Sequence, residues 1–209
     1  MDLKAKGLDP LIDSYTAVYN DWGLRAVHPS TTLETSAVGQ SFTVLSDFDY
    51  KITYALFDLK KVGSPVGNLV AQLYAHSGTY GTSSVPTGSA LAESNPVAMA
   101  DLLTSYAYYT FTFPEAQQYK MTKALHYCIE CVVKDATTLD ASNYPVINYR
   151  GFQATHSGNF SQFKSSAWAA SAYDTIFYVY GDAVVPAGNP LINKPLILPV
   201  KIKKPLFRT

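Results

Sequence analysis

The sharpest spacing of reactive side chains is the C-x-x-C of HYCIECVV, Cys128 and Cys131. A dithiol redox site needs this motif at a helix start, where the helix dipole lowers a thiol pKa. Here it lies inside a β-branched, alternating run, and residues three apart in a strand face opposite sides. The two thiols are therefore expected neither to bridge nor to share a metal, with Cys131 buried and Cys128 on the other face. The four histidines, 28, 76, 126 and 156, are scattered. There is no G-x-S-x-G elbow, no phosphate-cradling glycine loop and no H-E-x-x-H pair. A Ser–His–Asp site is defined by geometry rather than by sequence order, and nothing in the chain singles one out.

The carboxylates fall mostly in turns or at strand ends, as at Asp47, Asp49, Asp101, Asp135, Asp140 and Asp174. Acids there usually hold turns by hydrogen bonding. Neither catalytic residues nor a metal centre is expected. No cofactor is expected, although Asp135, Asp140 and Asp174 with backbone carbonyls offer the oxygen ligands that a structural Ca²⁺ takes. Aromatic residues between strands carry a different chemistry, because sugars stack on exposed rings. Tyr80 in HSGTYGTSS and Trp168 in SSAWAASAYD are such residues, with Asn159 as a polar neighbour that would orient a glycan.

The elements that must position these groups read as strands nearly throughout. Period-two runs separated by turn residues occur at 37–44, 48–61, 68–78, 89–94, 105–113, 123–134, 144–155 and 175–181. In KALHYCIECVVK, residues Leu125, Tyr127, Ile129, Cys131 and Val133 are expected inward, with His126, Glu130 and Lys134 outward. Only PVAMADLL (96–103) suggests a helix, of about two turns, with Asn95 or Ser94 as its cap. Many short strands with loops between them predict an all-β fold, an antiparallel jelly-roll β-sandwich of about eight strands. The expected division is an N-terminal extension (1–35), the sandwich (36–182) and an extended C-terminal arm (183–209). One internal echo stands out: YAHSGTYGTSS against ATHSGNFSQFKSS, two strand-end loops with the same turn chemistry.

At 209 residues one domain can bury a core without disulfide or metal staples. Lysine plus arginine and aspartate plus glutamate balance at 16 each, so no global field steers the chain to nucleic acid or to an anionic membrane. The start, MDLKAKGLDPLIDSY, has no apolar segment of the signal-peptide kind. No run approaches the ~18 apolar residues of a membrane span. Synthesis in the cytoplasm of the producing cell is the expectation.

The blocks GQSFT, LKKVGSPVGNLVAQLYAHSGTYGTSSVPTGSALAES, YYTFTF, HSGNFS and, after a Trp, YDTIFYVYG follow one another over roughly residues 36–181. In order and spacing they resemble the jelly-roll domains of phage and bacterial surface or virion structural proteins, which are similar to carbohydrate-binding and laminin-G-like sandwiches. The resemblance carries over no catalytic residue. It implies an adhesion or structural part, located in the virion and made in the host cytoplasm.

The tail NKPLILPVKIKKPLFRT fits that reading. If extended, Leu196, Leu198, Val200 and Ile202 share one face, and Pro195, Pro199, Lys201 and Lys203 share the other. The prolines remove donors from one edge only, so such a strand pairs on one side, as in β-augmentation. Residues 183–209 would span roughly 85–90 Å extended, against a radius of gyration of about 16 Å for a compact core of this size. Lys194, Lys201, Lys203, Lys204 and Arg208 make the arm basic and it holds no acid. The expected function is a non-enzymatic virion component docked through its extended termini on other virion proteins and on copies of itself. A carbohydrate-binding adhesion module is the alternative. Nucleic acid and membrane are not expected partners.

Overall fold

The protein is described from a computed structural model over residues 10–16, 24–25, 35–137, 139–151 and 154–185. Its strands in chain order begin with β1 (Leu11–Tyr15), β2 (Leu24–Arg25), β3 (Thr35–Thr43), β4 (Asp49–Val62) and β5 (Asn68–Ser77). They continue with β6 (Val85–Glu93), β7 (Val97–Ala98), β8 (Ala107–Thr112), β9 (Lys120–Met121) and β10 (His126–Lys134). The last are β11 (Tyr144–Ile147), β12 (Tyr149–Arg150), β13 (Phe160–Lys164), β14 (Ala167–Ser171), β15 (Asp174–Thr175) and β16 (Phe177–Val184).

Two antiparallel sheets face each other. Sheet A has the order β1-β16-β4-β11-β2, with β8 and β9 also paired to β4. Sheet B has the order β14-β13-β3-β10-β5-β6, with β7 on β5. The chain enters sheet B at β3 and crosses to A at β4. It returns to B for β5, β6 and β7, to A for β8 and β9, to B for β10 and to A for β11. It then goes to B for β13 and β14 and ends in A at β16, while β12 and β15 pair in a separate two-stranded sheet. This winding between layers is that of a jelly-roll sandwich.

Strand parity explains the core. In β10, Tyr127, Ile129 and Cys131 point at sheet A and join Phe42, Leu73 and Phe177 in one apolar cluster. In β4 the inward set changes parity, from Tyr50 and Ile52 to Ala55, Phe57 and Leu59. The register with β16 slips at the same place, between Tyr180 and Gly181. One extra residue has been inserted, which is the signature of a β-bulge. It turns Tyr54 outward.

Four expectations change. Residues 96–103 form no two-turn helix: Val97–Ala98 pair with β5 and only Met99–Asp101 make a 3₁₀ turn, without a side-chain cap. Met99 N–H bonds Gly67 O, so the main chain is drawn to a neighbouring strand, and Met99 and Leu102 plug the core. Trp168 lies within β14 rather than in a loop. The segment set apart as an N-terminal extension contributes β1, at one edge of sheet A among the described residues, and β2.

The fourth change concerns Glu130, expected to face solvent and instead fully buried at 0% exposure. Sheet B is curled so strongly that its edge strands β14 and β6 touch. The rings of Tyr74 (β5) and Trp168 (β14) meet edge-to-face, with centres 5.7 Å apart, over the side of the sheet turned away from sheet A. That roof buries the middle of β10 on both faces.

Both cysteines are free and buried, Cys131 in the inter-sheet core and Cys128 under the roof. Burial pushes both thiols well above the usual range, which keeps them protonated and unreactive. Thiol titration is expected to find two free thiols in denaturant and slow, incomplete labelling in the native protein. An intrachain disulfide would contradict the strand parity of β10.

Candidate functional site

The two His-Ser-Gly loops that echo each other in sequence meet in space at one end of sheet B. Residues 76–78 end β5, and 156–158 lead into β13. Asn159 joins the loops from beneath. Its Nδ2 donates to Ser84 O at 3.1 Å and Phe160 O at 2.8 Å, and its Oδ1 accepts from Ser84 N–H at 3.0 Å. Above, the hydroxyls of Tyr80 and Ser157 lie 3.2 Å apart. Gly81 passes so close that a Cβ there would sit 2.3 Å from Ser157 O.

His156 anchors the second loop. Its Nδ1 accepts from Gly158 N–H at 3.0 Å, so its proton sits on Nε2, 3.2 Å from Asp13 Oδ1 on β1. Gln40 Nε2 also lies 3.1 Å from Nδ1 and bonds Asp174 Oδ1 at 2.9 Å. With both ring nitrogens engaged, His156 has no lone pair to offer as a general base. The Asp13–His156 pair is a tether between the sheets. Asp174 Oδ2 accepts from His156 N–H at 2.8 Å, and burial raises its carboxyl above the ordinary value despite that bond.

The outer rim of this end carries three rings. Tyr80 lies flat on His126, with centres 3.8 Å apart and planes at 7°. His76 meets both rings edge-on, 6.1 Å from Tyr80 and 5.5 Å from His126. His76 Nε2 bonds Ser84 Oγ and His126 Nδ1 bonds Thr43 Oγ1, each at 2.9 Å.

Of the three ligand residues expected from sequence, Tyr80 is half-buried on this rim. Asn159 is buried, with both amide hydrogens spent on the main chain, so it positions the loops and presents nothing to a glycan. Trp168 packs edge-to-face against Phe163 and Tyr74 on the roof of sheet B. The docking residues Leu196, Leu198, Val200, Ile202, Lys201, Lys203 and Lys204 lie outside the described residues. Among the described residues no group of three or more His, Cys, Asp or Glu is placed to hold a metal, and Asp135, Asp140 and Asp174 form none.

A second surface was not anticipated. The outer face of sheet A carries a tyrosine ladder across three strands. Tyr54 (β4) stacks on Tyr180 (β16) at 4.4 Å and 19°, Tyr180 lies 6.3 Å from Tyr178, and Tyr178 meets Tyr108 (β8) at 5.4 Å. Leu11 on β1 borders it at 43% exposure, and Tyr108 is 45% exposed. Strand β8 pairs only with β4 among the described residues. Alternation along β8 puts Tyr108, Thr110 and Thr112 on one face, but the alignment of four tyrosines depends on the register of β8, β4 and β16.

Comparison with known protein families, with curated proteins and with solved structures finds no match for this chain.

Proposed function

We propose that the protein is a non-enzymatic structural subunit, a phage virion component such as a head decoration, collar or fibre-associated part, that docks on neighbouring subunits. The observation that carries this reading is the tyrosine ladder of sheet A beside β8. Aromatic side chains add large contact area at low entropic cost and dominate docking energetics. An edge strand with one neighbour accepts a further strand. The alternating tail, with Leu196, Leu198, Val200 and Ile202 on one face and Lys201, Lys203 and Lys204 as its basic groups, is the segment proposed to add such a strand to a neighbour. The resemblance of the sequence blocks, in their order, to those of virion and surface jelly rolls supports the same reading.

The test is assembly. Deleting residues 190–209 is expected to leave a folded monomer with a nearly unchanged melting temperature that no longer enters particles. Nine large apolar residues go with that segment: Leu191, Ile192, Leu196, Ile197, Leu198, Val200, Ile202, Leu206 and Phe207. If they packed on their own sandwich, a loss of about 1.5–3 kcal/mol each would be comparable to the whole ~5–15 kcal/mol stability of a domain, and the truncation would not fold. A folded truncation that assembles normally, or absence of the protein from purified particles, overturns the proposal.

The second reading is a carbohydrate-binding adhesion module, favoured by the half-buried ring of Tyr80 at the joined loops. Binding on a glycan array that is lost in Tyr80→Ala would select it.

A further inference from the structure

We propose that His76 and His126 form a two-histidine site for a borderline transition-metal ion such as Zn²⁺, Ni²⁺ or Cu²⁺. The inference does not depend on the assembly role. His76 lies near the end of β5 and His126 opens β10. The two strands are neighbours, with Tyr127 opposite Ala75. By strand parity both histidines project from the side of sheet B turned away from sheet A.

Their ring centres are 5.5 Å apart and their planes cross at 67°. Two imidazoles on one tetrahedral ion, with metal–nitrogen bonds of about 2.0–2.1 Å, place their ring centres roughly 5 Å apart. The ring-centre spacing is thus close to the one that a bridging ion would set.

Each ring is already held through its other nitrogen. Ser84 Oγ, 2.9 Å from His76 Nε2, donates onward to Thr79 O at 3.4 Å. It therefore accepts Nε2–H, and the lone pair of His76 is on Nδ1. Thr43 Oγ1, at 2.9 Å, occupies His126 Nδ1 and leaves Nε2 as the other position. Among the described residues neither His76 Nδ1 nor His126 Nε2 has a hydrogen-bond partner. An oxygen on the non-ligating nitrogen is the arrangement that fixes the tautomer and orientation of metal-binding histidines. Tyr80 holds the plane of His126 by stacking.

Imidazole nitrogens select zinc, nickel and copper over the hard calcium and magnesium ions. Two protein ligands leave the remaining positions of the ion to solvent.

The test is calorimetric titration of the full chain with zinc chloride, with Co²⁺ absorption as a second readout of the ligand set. One ion per chain is expected. His76→Ala and His126→Ala should each weaken binding at least tenfold. Ser84→Ala, which removes only the orienting hydroxyl, should weaken it about tenfold. His28→Ala should leave it unchanged. Thermal melts check that each variant is folded. If a histidine variant fails to fold, imidazole nitrogen NMR of the wild type with Zn²⁺ decides, and shifts at His76 Nδ1 and His126 Nε2 are expected. No zinc binding by the wild type at millimolar metal, wild-type affinity in either histidine variant, or shifts confined to other histidines overturns the proposal.

Discussion

Gly39→Ala is expected to abolish folding or to cost more than about 4 kcal/mol, at the far end of single-substitution effects. Gly39 lies in the middle of β3, opposite Glu130 of β10 on one side and Ser161 of β13 on the other. A Cβ there would lie 1.9 Å from Ile129 O, 2.6 Å from Glu130 Oε2 and 2.7 Å from Glu130 Cα. Two of these three atoms are backbone, so no rotamer change relieves the contact. Strand β3 would have to leave the ladder it makes with β10 at the centre of sheet B. Ordinary overpacking costs about 1–3 kcal/mol because side chains yield; here they cannot.

Gly88→Ala is the matched control. Gly88 has φ +70° but nothing within 4 Å of its would-be Cβ. Alanine there should cost only the left-handed backbone strain of about 1–2 kcal/mol. Urea denaturation of both variants measures the contrast. A folded Gly39→Ala protein of near wild-type stability would show that β3 does not approach β10 this closely.

Glu130→Gln is expected to be more stable than wild type at neutral and alkaline pH, and the gap should widen as pH rises. Glu130 is buried under the Tyr74–Trp168 roof. Its Oε1 accepts from Ser161 Oγ, and its Oε2 has no partner among the described residues. The two side chains meet over Gly39, which has none to obstruct them. Burial raises the carboxyl pKa well above the ordinary value, and the Ser161 bond offsets this only in part.

The sign follows from linkage. The folded state keeps a proton that the unfolded chain releases above its ordinary glutamate pKa, so Glu130's contribution is complete below that pKa. It is lost as pH climbs through the folded value, at about 1.4 kcal/mol per pH unit. Glutamine has the shape of the neutral acid and does not titrate, so this part of the slope disappears. The raised Asp174 contributes a residual slope of the same sign in both proteins. Chemical denaturation from pH 5 to pH 8 is the measurement. Parallel curves for the two proteins, or a less stable Gln variant at pH 8, would falsify the burial of a neutral carboxyl at this position.

The class of fold and most of the inward strand faces were legible from alternation, although Leu125, read as inward, lies exposed just before β10. A strand's side chains alternate strictly, so Tyr127, Ile129 and Cys131 had to share a face and Cys128 had to lie opposite, whatever the partners. The same rule kept the C-x-x-C from bridging. Composition pointed away from a nucleic-acid field, and the two His-Ser-Gly loops were visible as an echo.

The tertiary structure decided everything that depends on distance across the sheets. Parity says which way Glu130 points but not whether solvent is there. Only the curl of sheet B, bringing β14 against β6, shows that the outward face of β10 is roofed and that an ordinary glutamate is buried. The helical reading of residues 96–103 failed because propensity is weak over so few residues. Pairing with β5 gave the backbone a stronger partner. Asn159 reads as a surface residue by type, yet its amide is the bond between the two loops. The echo could not reveal that those loops touch, nor that Tyr80, His76 and His126 converge on one rim. His76 and His126 are 50 residues apart in the chain and adjacent only because β5 and β10 pair.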